Sequence, residues 1–245
     1  NRRSMSKEFL EVYRKSLEDP VRFWEEQARK LYWRESWAKA YDDSNPPFYK
    51  WFVGGKTNIA YNALDVHIKA GRANKAALIW VSPYEGARVL RYWDLYREVN
   101  RLSVLLRSLG VEKGDRVAIY MPMIPEAMVA MLAVNRIGAV HTVVFSGFGA
   151  QALADRIVDA DAKLVITADG MRRRGKVTPL KPTVDEALKI AGDDIGVLVY
   201  RHVGSDVAMR HGKDLWWHEE ISKIPPNAYA EPEWVSGDSP LFILY

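Results

Sequence analysis

The sequence predicts an α/β fold in which a mostly parallel sheet is covered by helices and preceded by a helical amino-terminal preface. From residue 75 onwards, short β-branched runs alternate with amphipathic segments, a pattern typical of parallel strands joined by helices. The first part of the chain instead has apolar residues at helical spacing. The 245 residues are 48% hydrophobic and 27% charged, which suits a chain with a sizeable core and excludes a disordered or fibrous protein.

The amino-terminal part is predicted to be helical over residues 7–37, with one break at Asp19-Pro20. Aspartate favours the cap of a helix and proline favours its first turn, so a second helix should begin there. Residues 42–47 are rich in Asp, Asn and Pro, which favour a turn or a linker. We therefore predict a helical preface and linker over residues 1–47 and an α/β subdomain over residues 48–245.

The α/β part is predicted to alternate between strands and helices. Leu95 and Val99 share one face of a helix that ends at Gly110, and an apolar helix begins at Pro125 and ends at Gly138. The predicted strands are residues 75–82, 88–92, 116–121, 140–145, 163–167, 196–200 and 241–245. The predicted helices are residues 59–70, 95–109, 125–138, 150–158 and 184–190. Ligands of parallel sheets bind beyond the carboxyl ends of the strands, so we expect a site at that edge.

Composition excludes several classes of protein. The sequence has no cysteine, which excludes disulfides, thiolate metal ligands and a thiol nucleophile. The longest apolar run, residues 127–134, is too short to span a membrane, and no apolar stretch follows the arginines near the amino end. We therefore expect a cytoplasmic protein without a membrane partner. The 35 basic and 31 acidic residues are intermixed, which argues against a nucleic-acid partner.

Two local patterns fail as sites. Gly55-Lys56-Thr57 looks like the end of a phosphate-binding P-loop, but Lys50 stands where that motif needs its first glycine. The histidines have no paired spacing on one face, so no metal site is predicted. They are His67, His141, His202, His211 and His218.

A glycine motif is a stronger candidate. Residues 147–152, Gly-Phe-Gly-Ala-Gln-Ala, follow a predicted strand and open a predicted helix, and Asp169 ends the next strand. This arrangement meets the dinucleotide-binding fingerprint, in which glycines admit a phosphate to the amino end of a helix. The alternative is an ordinary tight turn between a strand and a helix.

A basic segment follows the next predicted strand. Residues 169–176 contain four cations, Arg172, Arg173, Arg174 and Lys176. This segment and the Gly147 turn both leave the carboxyl ends of parallel strands, so they should share one edge of the sheet. Together they predict a nucleotide-phosphate site, because arginine can bind two phosphate oxygens at once. The alternative is that the cations form a solvated loop.

Two longer segments resemble a known family. Residues 114–127, Gly-Asp-Arg-Val-Ala-Ile-Tyr-Met-Pro-Met-Ile-Pro-Glu-Ala, and the following Gly138-Ala139-Val140 resemble the adenylate-forming superfamily of acyl-CoA synthetases. Residues 47–65 are similar to its acetyl-CoA and propionyl-CoA synthetase branch. The resemblance extends over residues 19–245 and implies an incomplete large domain of the adenylate-forming fold.

The resemblance implies the AMP-forming ligation of acetate, or another short carboxylate, to CoA. In that family the carboxylate first reacts with ATP, whose phosphates bind Mg²⁺, to give an acyl-adenylate and pyrophosphate, and the CoA thiol then displaces AMP to give the thioester. The partners expected are these small molecules, and nothing in the sequence indicates an oligomeric state. The family's ATP loop follows a strand like residues 241–245, so the ATP and Mg²⁺ sites are expected beyond this chain. The chain alone is therefore expected to be inactive and to hold no catalytic residue.

The resemblance also implies a site for the nucleotide end of CoA. In the family, an aromatic residue and two glycines lie against this nucleotide, and they match Phe145, Ser146 and Gly147. Two family arginines near the CoA phosphates match Arg173 and Lys176. Serine thus replaces one glycine, and lysine replaces one arginine and loses its bidentate fork. Arg172 and Arg174 are the neighbours that could compensate.

Two other functions stay open at this point. An NADP-dependent oxidoreductase would use the Gly147-Phe148-Gly149 turn for the pyrophosphate and the basic segment for the 2′-phosphate. A non-catalytic fragment or binding module would need only the fold. Displacement of a bound CoA analogue by CoA but not by NADPH would distinguish the CoA synthetase from the oxidoreductase.

Overall fold

The structure is a computed structural model that describes residues 6–192 and 194–245. Residues 1–5, part of the amino end where no signal sequence is expected, lie outside the described residues. Two compact units are present: residues 6–57 with 234–239, and residues 58–233 with 240–245. The domain boundary near residue 47 stays a prediction.

The helices and strands are as follows in chain order. The helices are α1 (Lys7–Glu18), α2 (Pro20–Ala28), a π-helix (Tyr61–Asp65), α3 (Val66–Lys69), α4 (Tyr92–Ser108), α5 (Pro125–Arg136), α6 (Ala150–Ala160), α7 (Lys181–Ala191) and α8 (Trp217–Ser222). The strands are β1 (Lys39–Asp42), β2 (Lys50–Val53), β3 (Lys56–Thr57), β4 (Ala76–Ser82), β5 (Gly86–Arg91), β6 (Arg116–Tyr120), β7 (Val140–Val143), β8 (Ala162–Ala168), β9 (Gly170–Arg173), β10 (Lys176–Pro179), β11 (Gly196–Tyr200), β12 (Asp214–Trp216), β13 (Val235–Ser236) and β14 (Phe242–Ile243).

The first unit begins with the two predicted helices. Asp19 separates them, and its carboxylate accepts a hydrogen bond from the Arg22 backbone N–H at 3.0 Å. The predicted continuation of helix to residue 37 was wrong, because α2 ends at Ala28. Trp33 and Trp37 lie instead in a cluster of aromatic rings around Phe52, at 5.4 and 5.2 Å between ring centroids. Packing of these aromatic rings outweighs the preference for helix that the spacing of apolar residues indicates.

The second unit is built on a six-stranded parallel sheet. Its strand order is β12-β11-β8-β6-β7-β14, and every neighbouring pair is parallel. The predicted α/β class is confirmed. The predicted strand at residues 88–92 is real but lies outside this sheet, because β4 and β5 form a separate antiparallel hairpin. The predicted strand at 241–245 is shorter, at Phe242–Ile243, and forms the sheet edge beside β7.

Each face of the sheet has its own core. Alternate residues of a strand point to opposite faces, so Val117 and Ile119 of β6 pack with α4 and α5, whereas Ala118 and Tyr120 pack with α6 and α7. All four side chains are at most 1% exposed. Both faces are therefore covered, and the carboxyl ends of the strands are where a ligand can approach. In the described residues, no helix is long and apolar enough to cross a membrane.

A buried histidine makes the stability of this sheet depend on pH. His141 of β7 is 7% exposed, and its ring stacks on Phe242 of β14 at 5.8 Å between centroids. Burial lowers the pKa of His141 from 6.5 to about 4. The unfolded chain therefore binds the proton more readily. The stabilisation is complete above pH 6.5 and is lost as the pH falls from 6.5 towards 4.

We expect replacement of His141 by leucine to flatten this pH dependence. Between about pH 7 and pH 4.5 the wild-type chain should lose on the order of 2 to 3 kcal/mol more unfolding free energy than His141→Leu. Urea unfolding at the two pH values measures this difference. His211, which is exposed, supplies the control, and His211→Leu should follow the wild type. Parallel losses in wild type and His141→Leu would contradict the expectation.

Candidate functional site

The glycine turn and the basic segment lie at the same edge of the sheet. The turn follows β7, and the basic segment follows β8. Both strands pair with β6 and run parallel to it, so both turns leave the carboxyl end of the sheet with one strand between them. The predicted proximity of Gly147 and Arg173 is therefore present in the folded chain.

The basic segment is a β-hairpin rather than a loop. Strands β9 and β10 pair in antiparallel register, with Arg173 directly opposite Lys176. The two residues between them, Arg174 and Gly175, have φ values of 50° and 74°. Positive φ at both positions is characteristic of a type I′ turn, in which arginine is an uncommon residue because its Cβ is crowded there. Directly opposed residues share one face, so the Arg173 and Lys176 side chains leave the hairpin on the same side.

Gly147 faces this hairpin at very short range. A Cβ placed on Gly147 would lie 2.8 Å from Nη1 of Arg173 and 2.9 Å from Cζ of Phe145. The Arg173 guanidinium is 5.8 Å from the centroid of the Phe145 ring. Glycine at this position therefore lets an aromatic ring and a cation pack directly against the turn, in the space that a side chain would fill.

A buried tyrosine ties the turn to the central strand. The Tyr120 hydroxyl at the end of β6 is 2.7 Å from the Phe148 carbonyl oxygen and 3.1 Å from the Ser146 carbonyl oxygen. Burial raises the pKa of Tyr120, which keeps this donor protonated. Ser146 is itself buried, and its hydroxyl contacts the Met171 sulfur of β9 at 3.5 Å. The Ser146 side chain thus links the turn to the hairpin.

A cavity of about 380 Å³ lies beside these two elements. Its third wall is the turn between β4 and β5, and its lining mixes rings with cations. Lining residues include Trp80, Tyr84, Phe145, Arg172, Arg173 and His202. Such a mixture can hold a flat ring against the aromatic side chains and an anionic group against the cations.

The cations of the hairpin differ in their partners. Nε of Arg172 is 3.9 Å from Glu85, and the same carboxylate is 3.6 Å from Nε2 of His202. Within the described ranges, Arg173, Arg174 and Lys176 have no carboxylate within ion-pair distance. All three are exposed, so the end of the hairpin presents uncompensated positive charge next to the cavity.

Asp169 does not have the role that the dinucleotide fingerprint predicts. Its side chain is fully buried, and its carboxylate accepts five backbone N–H groups at 2.8 to 3.1 Å. The donors are Gly170, His202, Val203, Gly204 and Ser205. Every lone-pair direction of the carboxylate is occupied, so it cannot bind a ribose hydroxyl. Asp169 instead shapes the loop after β11, and the fingerprint interpretation was wrong.

Two other sequence patterns form no site in the described residues. Lys56 and Thr57 form β3 in the first unit, paired with β13, and make no phosphate loop. Among residues 6–192 and 194–245, no three His, Asp or Glu side chains are grouped so that they could hold a metal ion.

Sequence reasoning missed the third wall of the cavity. The sequence predicts strands at residues 75–82 and 88–92, but no local pattern indicates that the turn between them is part of a site. The signal was the Pro83-Tyr84-Glu85-Gly86 sequence, a turn that carries an aromatic and an acidic residue between two strands. Its place beside the basic hairpin depends on packing that no local pattern specifies.

Comparison with known proteins defines the class of protein. The family described as AMP-binding enzyme matches residues 66–245, which is most of the chain, and the chain belongs to this family. Residues 9–63 match a second, more particular description, the acetyl-coenzyme A synthetase N-terminus. The resemblance to the adenylate-forming acyl-CoA synthetases is confirmed.

Several curated relatives are similar over nearly the whole chain. Acetyl-coenzyme A synthetase of Pyrobaculum aerophilum is 48% identical over 97% of this chain and 37% of its own length. The 3-hydroxypropionyl-coenzyme A synthetase of Sulfurisphaera tokodaii and the acetyl-coenzyme A synthetase of Streptomyces avermitilis are each 51% identical over 96% of the chain and 36% of their own lengths. The chain thus spans little more than a third of these relatives.

A solved structure supports the fold. Acetoacetyl-CoA synthetase from Streptomyces lividans superposes with a TM-score of 0.83 at 30% identity, over 95% of this chain and 35% of that one. The predicted adenylate-forming fold is therefore confirmed. An oxidoreductase function for the glycine turn loses its support, because the family is different and Asp169 is occupied.

Proposed function

We propose that this chain binds the nucleotide end of CoA and belongs to an AMP-forming synthetase that joins a short carboxylate, acetate in the first instance, to CoA. The observation that carries the proposal is the pair Arg173 and Lys176, two cations directly opposite each other on a hairpin that faces Phe145 and Gly147. The binding role is proposed for this chain, and the ligation is proposed for the complete enzyme.

Charge repulsion favours an anionic ligand. Like charges directly opposite on paired strands destabilise a hairpin. No carboxylate within the described ranges offsets Arg173 and Lys176, so the repulsion between the two cations destabilises the hairpin. A phosphate between them would remove this cost and accept charged hydrogen bonds from both side chains.

The aromatic part of the site suits the base of the nucleotide. Phe145 and Trp80 line the cavity beside the cations, and Phe145 is 55% exposed. An exposed ring in a cavity offers a stacking surface for adenine. The nucleotide of CoA carries both an adenine and several phosphates, which matches this combination.

The relatives support CoA more strongly than any particular acid. Their names specify acetyl, 3-hydroxypropionyl and acetoacetyl products, which differ in the acyl group and share the thiol carrier. The glycine turn and the basic hairpin are therefore best assigned to the shared substrate. Acetate is the proposed acid because several relatives are named for it. ATP and Mg²⁺ complete the proposal as co-substrate and phosphate-bound ion.

The test is removal of one charge from the proposed phosphate pair. We expect Lys176→Gln to weaken binding of CoA and of 3′,5′-ADP, its nucleotide end, about fivefold, because one exposed ionic contact of roughly 1 kcal/mol is lost. The free energy of unfolding should not fall, because the change relieves repulsion with Arg173. Isothermal titration calorimetry and urea unfolding of the chain measure the two quantities.

Lys163 supplies the matched control. It is an exposed lysine on β8, paired with Asp115 at 3.0 Å on the opposite edge of the sheet from the hairpin. Lys163→Gln should leave binding unchanged. Equal affinity of wild type and Lys176→Gln for CoA, or no CoA binding by the wild type, would overturn the proposed site.

A further inference from the structure

The β4–β5 hairpin is fixed close to its turn by polar contacts of Trp80 and Arg88, which are paired across the strands, with α5 and the segment before it. The Trp80 indole N–H donates to the Met123 carbonyl oxygen at 2.7 Å. Arg88 donates to Oε1 of Glu126 at 2.9 Å, and the Tyr200 hydroxyl donates to the same oxygen at 3.1 Å. Burial, with a smaller contribution from Glu126, raises the pKa of Tyr200 to about 12, so this donor stays protonated. The part of the hairpin next to its turn is therefore held in one position.

The turn of this hairpin reaches the turn of the basic hairpin. The Tyr84 hydroxyl oxygen accepts a hydrogen bond from the Gly175 backbone N–H at 3.0 Å. Gly175 follows Arg174, whose φ of 50° is strained for a residue with a side chain. Glu85, next in sequence, lies 3.9 Å from Arg172 and 3.6 Å from His202. Two consecutive residues thus contact the tip and one flank of the basic hairpin.

The basic hairpin needs such support. It consists of β9 and β10, four residues each, which pair only with each other. An isolated two-stranded hairpin is marginally stable in water, and like charges at its end weaken it further. A ligand that had to order a mobile hairpin would bind more weakly, because the ordering cost is subtracted from the binding free energy.

We propose that Tyr84 is a positioning residue for the CoA site: its hydroxyl holds the Gly175 amide and thereby fixes the hairpin that carries Arg173 and Lys176. This inference rests on the proposed function, since it assigns to Tyr84 a role in presenting the phosphate-binding cations. The base of the ligand is held by other side chains. Loss of the Tyr84 hydroxyl therefore affects the phosphates of the ligand and spares its base.

The experiment compares Tyr84→Phe with the wild-type chain, using two probes in NMR titrations. The probes are 3′,5′-ADP, which carries the phosphates, and adenosine, which has the same base and sugar without them. We expect affinity for 3′,5′-ADP to fall about three- to tenfold, which corresponds to one lost hydrogen bond. Affinity for adenosine should change less than about twofold, because phenylalanine keeps the ring in the cavity wall.

A second readout does not depend on ligand. Hydrogen exchange at the Gly175 amide should be faster in Tyr84→Phe than in the wild type, whereas amides of β8 should be unchanged. Tyr13, exposed on α1, provides the control, and Tyr13→Phe should alter neither binding nor exchange.

The outcomes separate this inference from the proposed function. If the wild type binds 3′,5′-ADP and Tyr84→Phe binds it equally well, the positioning role is wrong and the CoA site stands. An equal loss of affinity for both probes would also overturn the positioning role, because it would indicate general damage to the cavity. Failure of the wild type to bind 3′,5′-ADP would overturn the CoA site, and the role of Tyr84 with it.

Discussion

Replacement of Gly147 by alanine is expected to weaken CoA binding about thirtyfold, because displaced Arg173 and Phe145 side chains would lose ligand contacts of about 2 kcal/mol together and each 1.4 kcal/mol is tenfold in affinity. The new Cβ would lie 2.8 Å from Nη1 of Arg173 and 2.9 Å from Cζ of Phe145, and it would be nearer still to Cε1 of the same ring. Both side chains end at the surface and can move aside, so the fold should survive. They are also the two groups proposed to contact phosphate and adenine, so their displacement is a direct loss of binding.

Gly149 provides the matched control for this prediction. It lies two residues further along the same turn, and a Cβ placed there has no atom within 4 Å. Its φ of −80° is accessible to any residue. Gly149→Ala should therefore bind CoA like the wild type, which calorimetry on the two variants can establish. Similar losses in both variants would mean that the turn as a whole, rather than the contact with Arg173 and Phe145, matters for binding.

Replacement of Asp169 by asparagine is expected to lower the free energy of unfolding by about 3 to 4 kcal/mol. The carboxylate accepts five backbone N–H groups, three on one oxygen and two on the other. An amide has only one oxygen, so at least two buried donors would face an NH₂ group that cannot accept. The three remaining hydrogen bonds would lose the strength that a charged acceptor provides.

Urea unfolding of Asp169→Asn measures this loss. Asp206 lies on the same loop and is exposed, so Asp206→Asn serves as the control and should unfold like the wild type. CoA affinity should also fall in Asp169→Asn, because His202 lines the cavity and is one of the residues that Asp169 holds. A change in unfolding free energy below about 1 kcal/mol would show that the loop relaxes around the amide.

The sequence predicts the elements of this fold that depend on local patterns. Short apolar runs at residues 116–121 and 196–200 predict strands of the parallel sheet, and Pro125 and Gly138 predict the limits of one helix. The structure differs from the prediction where contacts between residues distant in sequence determine the secondary structure. The segment after Ala28 has helical spacing, yet Trp33 and Trp37 leave the helix for the ring cluster around Phe52.

The sequence predicts where the candidate site lies, but it does not predict the roles of Asp169 and Tyr84. Strand ends and glycine spacing placed Gly147 near the basic segment without a structure, because parallel strands end at one edge. The sequence does not show that the Asp169 side chain is buried. An aspartate that accepts backbone N–H groups and one that binds a ribose hydroxyl would stand at the same place in the sequence motif. Nor could it identify Tyr84, whose contact with Gly175 spans 91 positions of the chain.

The interposed strand β6 determines how far apart the two halves of the candidate site can lie. Neighbouring strands are separated by about 4.8 Å, so β7 and β8 begin their departing turns roughly 10 Å apart. This interval is a property of backbone hydrogen bonding and does not depend on which side chains the turns carry. Substitution of Ser146 or Lys176 can therefore change the affinity for a ligand, while the distance between the ends of β7 and β8 stays the same.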